Sequence, residues 1–385
     1  MNILFLSPHF PPNFRLFCAA LKEEGASVLG IGDAPFDSLD WDLRDSLSEY
    51  VQLPGMGDYG DLLRTTAYLI SRHGRMDRID SLNEHWLGLE AQLRLDFNIF
   101  GQKPADLEHN RRKSGMKEVF RKAGVPVPAA ELVVSSEQVR AFIARHGFPV
   151  VFKPDLGVGA VRIFRVDDEL QLAGVLGALP SGFVVESFVS GDLVSFDGLV
   201  DREGRIVFCA SHRVSSGIME ILTERRPVHY CYTREIPPGV EELGRKCVAA
   251  FGIRERFFHI EFLIDQAGAC HGLEVNVRPP GGLSVDMMNW SCDVDLYRLW
   301  ARLLVRGEAF LDYRRTHNVA HVARRHGFAY RRTHEEVLRE TAPLLMTHME
   351  FPWVFRAAMG DYIYFLRHPD MAVLQKAIDF IEERV

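Results

Sequence analysis

The chain opens on an apolar run, Ile3-Leu4-Phe5-Leu6, followed by an amphipathic stretch from Phe14 to Glu24 that stops at Gly25 and a second apolar run, Val28-Leu29-Gly30-Ile31. A short uninterrupted apolar run reads as a strand buried on both faces, and a 3.6-residue alternation as a helix with one inward stripe. The spacing therefore predicts a β-α-β unit. A second passage from strand to helix starts at Arg78-Ile79-Asp80-Ser81-Leu82, crosses Asn83-Glu84 and runs as helix to about Asp96. An open α/β domain is expected over residues 1–105. Its first connection, Ser7-Pro8-His9-Phe10-Pro11-Pro12, lacks the spaced glycines of a dinucleotide fingerprint, which argues against a Rossmann cofactor.

A basic amphipathic helix follows from Arg111 to Lys122, closed by Gly124 and by Val125-Pro126-Val127-Pro128, where the prolines forbid continuation. Then come a strand near Leu132, a helix from Ser136 to His146 behind a Ser-Ser-Glu cap, and the strand Pro149-Val150-Val151-Phe152-Lys153. From about 183 to 278 the pattern is strands separated by the turns Asp201-Arg202-Glu203-Gly204-Arg205 and Asp265-Gln266-Ala267-Gly268, interrupted by a helix near Val240 to Phe251. We place unit boundaries at 106–185, 186–305 and 306–385, the last a mixture of basic segment and terminal helices.

Composition narrows the function classes. With 45 Lys plus Arg against 52 Asp plus Glu, the net charge is −7, which disfavours general nucleic-acid or anionic-membrane binding. The first residues lack a basic head and a cleavage site, and no stretch reaches the ~18 apolar residues of a membrane span. The six cysteines form no Cys-x-x-Cys pair, so neither a disulfide framework nor a zinc site is suggested. A reduced, cytoplasmic protein is expected.

The densest chemistry falls on a predicted hairpin. In Phe257-Phe258-His259-Ile260-Glu261-Phe262-Leu263-Ile264, period two puts Phe258, Ile260, Phe262 and Ile264 on one face and His259 and Glu261 on the other. In Leu273-Glu274-Val275-Asn276-Val277-Arg278 it buries Leu273, Val275 and Val277 and projects Glu274, Asn276 and Arg278. If the strands pair, two carboxylates crowd one surface and call for a divalent cation; Mg²⁺ suits oxygen ligands, and Arg278 suits a phosphoryl group. The competing reading is a solvated strand face. Lys153 ends a strand and leads into Pro154-Asp155-Leu156-Gly157-Val158-Gly159-Ala160, a turn whose glycines let backbone N–H groups approach phosphate. Lys113 and Lys117 stand one helical turn apart; surface charge is the commoner role of such a pair.

Taken in order, the basic helix, the Gly-x-Pro-x-Pro break, the strand ending in Lys-Pro-x-x-Gly, the segment Val184-Val185-Glu186-Ser187-Phe188-Val189-Ser190-Gly191-Asp192 and the Glu261, Glu274-x-Asn276-x-Arg278 hairpin resemble the ATP-grasp superfamily over about residues 111–300. The resemblance implies an α/β pre-grasp domain, a two-lobed α+β ATP-grasp domain and a C-terminal mixed extension. It implies ATP as cofactor, with Mg²⁺ as its metal and Mn²⁺ as the alternative. Lys113 and Lys153 match the phosphate lysines, Glu186, Ser187 and Val189 the hinge at adenine, and Asp192 an acidic residue at ribose. Glu261, Glu274 and Asn276 match the metal ligands, Arg278 and Lys153 the catalytic cations, and Arg213 a cation facing substrate or phosphate. One departure stands out: the family usually has a longer glycine- and serine-rich loop where only Gly157 and Gly159 remain.

On the acceptor side, Pro279-Pro280-Gly281-Gly282 follows Arg278, and the amides of Gly281 and Gly282 are candidates for an oxyanion or carboxylate; a plain loop is an equal reading. Glu84, at a helix start, resembles a substrate-side position of these ligases, and otherwise reads as a carboxylate in a helix dipole. Met287, Met288 and Trp290 read as core rather than pocket. Between Tyr313 and His334 no acidic residue occurs, and Arg314, Arg315, Arg324, Arg325, Arg331 and Arg332 offer a docking surface for an anion. His317 and His321 lack the Glu of a zinc motif, and Val319, Ala320 and Val322 look like strand. The expected function is an ADP-forming carboxylate–amine ligase acting on small molecules, with amino acids in view and a homodimer as the assembly to check. A phosphotransferase on the same residues and a weakly catalytic nucleotide-binding regulator are the alternatives.

Overall fold

The computed structural model describes residues 1–157, 163–178, 181–215, 228–308 and 310–385. The first unit is a parallel sheet of β1 (Asn2–Leu6), β2 (Ser27–Gly32), β3 (Glu49–Gln52) and β4 (Arg78–Asp80) in the order β3-β2-β1-β4. The apolar run of β1 is buried on both faces. Ile3 and Phe5 pack with Phe17 and Trp300, while Leu4 and Leu6 pack with Leu62, Leu69 and Leu93. The β-α-β unit read from the sequence is present, with its helix at Arg15–Glu23. Helices Trp41–Ser46 and Tyr59–His73 and strand β3 occupy a stretch where the pattern predicted no element.

The second unit is an antiparallel sheet of β5 (Ala130–Leu132), β6 (Val150–Pro154), β7 (Phe164–Val166) and β8 (Phe183–Ser187), ordered β5-β8-β6-β7. Val150, Phe152 and Val185 form one face, sealed by Val139, Phe142 and Ile143 of helix Ser136–His146 and by Leu172. Val151, Lys153 and Glu186 form the other, since Val151 pairs with Glu186 and side chains alternate along each strand. The basic helix expected from Arg111 is two helices, Pro104–Arg111 and Lys113–Lys122. Arg112 between them is extended (φ −94°, ψ 124°) because its backbone bridges to Leu156.

The third sheet contains β9 (Gly191–Val200), β10 (Ile206–Ala210), β11 (His212–Val214), β12 (Val228–Tyr232), β13 (Arg256–Asp265), β14 (Cys270–Asn276), β15 (Asn318–Arg324), β16 (Leu345–Glu350) and β17 (Tyr362–His368). Its order is β14-β13-β9-β11-β12-β15-β17-β16, with β10 paired to β9. The C-terminal segment thus continues this sheet through the β12–β15 ladder. One face packs Val194, Phe196, Ile260, Phe262 and Val275 against Met116 and Phe120 of the Lys113–Lys122 helix. The other turns towards the first unit through helices Ser284–Cys292 and Leu296–Arg306, where Met287, Met288 and Trp300 are core.

Candidate active site

The hairpin pairs as period two requires, with one irregularity that decides the site. Glu261 lies opposite Glu274 and His259 opposite Asn276, but Phe262 pairs with Gly272, so Leu273 is bulged out of the ladder. Leu273 is half-buried rather than core as the alternation predicted. Gly272 beside it admits the Phe120 ring, which stands 2.9 Å from where a Cβ would be, and the bulge sets the register beyond it. Its result is that the two glutamates share one position across the ladder. Burial pushes the Glu274 carboxyl up and Glu261 adds to the rise, against the pull of Lys113, Lys153 and Arg278. Burial opposes ionisation of Glu261 too, but the His259 ring bonded to it holds its carboxyl below the ordinary range.

Arg278 leaves β14 and donates to the Asn276 Oδ1 at 3.2 Å and to the Pro279 carbonyl at 2.8 Å. Its Nε meets Glu84 Oε2 of the first unit at 3.4 Å. Burial raises the Glu84 carboxyl, offset in part by Arg278. A cavity of about 320 Å³ opens between Glu84, His85, Arg111, Gly157, Glu274 and Asn276. Lys117 and Lys153 each place Nζ 2.9 Å from Glu186 Oε2, all three residues buried. Burial lowers Lys117 to about 8 despite Glu186, while the two lysines outweigh burial and hold Glu186 below its usual range. Lys113 donates to the Gly157 carbonyl at 3.0 Å. Its helix is seated by Asp155, whose carbonyl accepts from the Lys113 N–H and whose carboxylate accepts from the Ser114 N–H, both at 2.8 Å.

This arrangement is similar to known proteins. No family model matches the chain. The uncharacterized protein y4rH of Sinorhizobium fredii is 24% identical over 263 residues, 64% of this chain and 54% of that protein. The L-amino acid ligase structure from Bacillus licheniformis superposes with TM-score 0.74 at 17% identity, covering 98% of this chain and 95% of the ligase. The N5-carboxyaminoimidazole synthetase from Staphylococcus aureus gives TM-score 0.74 at 14% identity over 98% and 96%. The chain has the ATP-grasp fold. It spans about half the length of most of the curated relatives it matches.

Within the ATP-grasp frame, the structure brings together Glu84, Lys113, Lys153, Gly157, Glu186, Glu261, Glu274, Asn276 and Arg278. It does not bring Asp192 and Arg213 to them. Arg213 pairs with Val194 and Cys231, so it projects from the opposite face to Glu261, which pairs with Ser195. There, half-exposed, it meets Asp192 at 3.6 Å beside a separate cavity of about 1070 Å³. Leu193, opposite Leu263, is what β9 presents on the Glu261 face at that end. Ser187, at the end of β8, and Val189, in the link between β8 and β9, are half-buried. Gly282, at φ +66°, packs its backbone under Met359 and Phe351, and its carbonyl and that of Gly281 accept from Asn13 and Ser284. Gly159 lies outside the described residues.

Five of the six arginines of the basic run make contacts within the fold. Arg315 donates to the carbonyls of Arg234 and Cys209, Arg324 to those of Ile381 and Arg332, and Arg325 to those of Arg356 and Ala357. Arg331 and Arg332 pair with Glu383. His317 precedes β15 and His321 is buried within it, stacked on Tyr230. What the sequence reading missed is the burial of Lys117, the Glu186 side chain as its counter-ion, and the Asp197, His212 and Tyr232 cluster beside His259. The alternation Ser195-x-Asp197 inside the otherwise apolar stretch Leu193–Val200 was the available signal.

The donor set suits a hard divalent cation: two carboxylates in cross-strand register and an amide oxygen. No group of three or more His, Cys, Asp or Glu that could hold a metal occurs among the described residues. With two carboxylates and one amide oxygen from the chain, a Mg²⁺ ion held here would draw its remaining ligands from water or phosphate oxygens. Nor is any described helix long and apolar enough to cross a membrane.

Proposed function

We propose that the protein is an ATP-dependent, ADP-forming ligase that activates a carboxylate as an acyl phosphate and joins it to an amine. The observation that carries this reading is the direct opposition of Glu261 and Glu274, with Asn276 and Arg278 beside them and Lys113 and Lys153 acting electrostatically on Glu274. Glu261, Glu274 and Asn276 would hold Mg²⁺, which when bound neutralises charge on the ATP phosphates. Lys113 and Lys153 bind those phosphates, and Glu186 keeps Lys153 aimed before ATP arrives. The substrate carboxylate oxygen attacks the γ-phosphorus, the bond to the β-phosphate oxygen breaks and ADP leaves. Arg278, held by Glu84 and Asn276, faces the charge that develops. The amine then attacks the acyl carbon, phosphate departs and the amine loses a proton. Because one similar structure is named an L-amino acid ligase, amino acids are the substrates to screen first.

The test is an amino-acid and carboxylic-acid screen with ATP, Mg²⁺ and hydroxylamine, a small nucleophile able to capture an acyl phosphate. We expect ADP, phosphate and a hydroxamate to form together, and Glu274→Gln to fold normally and lose most turnover. Release of AMP and pyrophosphate, a stable phosphorylated product, or tight ATP binding with no substrate-dependent ADP would each reject the ligase reading.

A further inference from the structure

Past Glu261, the same face of the large sheet carries a buried polar cluster that the reaction above does not use. Asp197 lies two residues along β9 from Ser195 and directly opposite His259. It is fully buried, and its carboxylate meets four groups. Ser195 Oγ donates to Oδ2 at 2.7 Å, Tyr232 OH donates to Oδ2 at 2.8 Å, His212 Nδ1 lies 2.9 Å from Oδ2, and His259 Nδ1 lies 2.7 Å from Oδ1. Ser195 Oγ is also 2.8 Å from His212 Nδ1, the nitrogen that meets Asp197. Serine and aspartate therefore share one ring nitrogen, whereas a nucleophile–base–orienter relay needs them on different nitrogens. The cluster is not a hydrolytic triad. Its outlet is His259, whose second nitrogen, Nε2, stands 3.4 Å from Glu261 Oε1.

We infer that Asp197 is a positioning residue which, by fixing the His259 ring through Nδ1, sets the Glu261 carboxylate in the orientation that receives the nucleotide-bound cation. The geometry runs in one direction. Strands β9, β11 and β12 supply the groups that lock Asp197, Asp197 leaves the His259 ring one favourable plane, and the ring bounds one oxygen of Glu261. Outer partners of this kind orient metal-binding groups and tune their affinity. The inference rests on the Mg²⁺-nucleotide reading of the site.

The experiment measures ADP binding to the full chain by calorimetry, once with Mg²⁺ and once with EDTA. Wild type should bind ADP more tightly with Mg²⁺. Asp197→Asn should lose roughly tenfold or more of that enhancement, with ADP affinity in EDTA close to wild type. His259→Gln should show the same loss and carries the test by itself if Asp197→Asn fails to fold; where both fold, the double variant should show no further loss. Wild type that binds ADP equally with and without Mg²⁺ would reject the proposed function and leave Asp197 nothing to position. Wild type with a clear enhancement that both variants retain, or variants that weaken ADP equally in both buffers, would reject the positioning role alone.

Discussion

Glu186→Gln tests whether Lys117 of the Lys113–Lys122 helix and Lys153 of β6 are held by their shared counter-ion. Lys117, Lys153 and Glu186 are 2%, 7% and 4% exposed, so water does little to replace the lost carboxylate. Glutamine keeps the volume and offers one neutral oxygen to two cations. Breaking a buried pair by removing one partner costs about 3–5 kcal/mol. Lys117 has a cheaper escape: it is already lowered to about 8, and shedding its proton at pH 7 costs about 1.4 kcal/mol, one pH step at about 1.36 kcal/mol. Lys153 still loses its partner, so we expect a net loss of about 3 kcal/mol at pH 7. The sign of the pH dependence follows. With the Lys117 value further below the ordinary 10.5 of the unfolded chain, the unfolded state binds more protons across that window, and stability rises with pH. The deficit of the variant should therefore shrink between pH 7 and pH 9. Urea unfolding followed by tryptophan fluorescence at pH 7, 8 and 9 measures both. A loss below about 1 kcal/mol at pH 7, or a deficit that grows with pH, would refute the argument.

Burial lowers His321 to about 4, and its Nε2 donates to the Met359 carbonyl at 3.0 Å. The unfolded chain protonates this residue near 6.5, so stability present above 6.5 is lost as pH falls towards 4, about 2 kcal/mol by pH 5; His321→Phe should remove that part of the slope in urea titrations, and an unchanged slope would contradict the assignment. A Cβ on Gly198 would stand 2.2 Å from the Phe208 carbonyl and 2.6 Å from the Phe258 ring, so Gly198→Ala must part β9 from β10 and should cost about 3 kcal/mol. A shift in the thermal midpoint worth under 1 kcal/mol would show that the ladder gives way more easily than packed backbone should.

What the chain determined locally is what depends on its own dihedral period. The helix Ser136–His146 and the polar face of His259, Glu261, Glu274 and Asn276 were legible because alternation of 3.6 or 2 is fixed by backbone geometry, whatever the strand pairs with. Which faces meet is decided by pairing register between residues far apart in sequence. Asp192 and Arg213 follow the resemblance in order but fall on the far face, because Arg213 pairs with Val194 while Glu261 pairs with Ser195. The arginine pairs look like an anion surface as a string, yet Arg324 and Arg325 spend their donors on carbonyls supplied from elsewhere in the chain, which composition cannot reveal. Lys117 reads as surface charge on an isolated helix and becomes a buried cation only when the helix is trapped between Glu186 of the β5–β8 sheet and the core around Phe120. The sequence by itself thus fixed which residue types each strand would present. The tertiary structure alone decided which of them share a dry, charged space, because burial and charge compensation exist only once separate elements have packed.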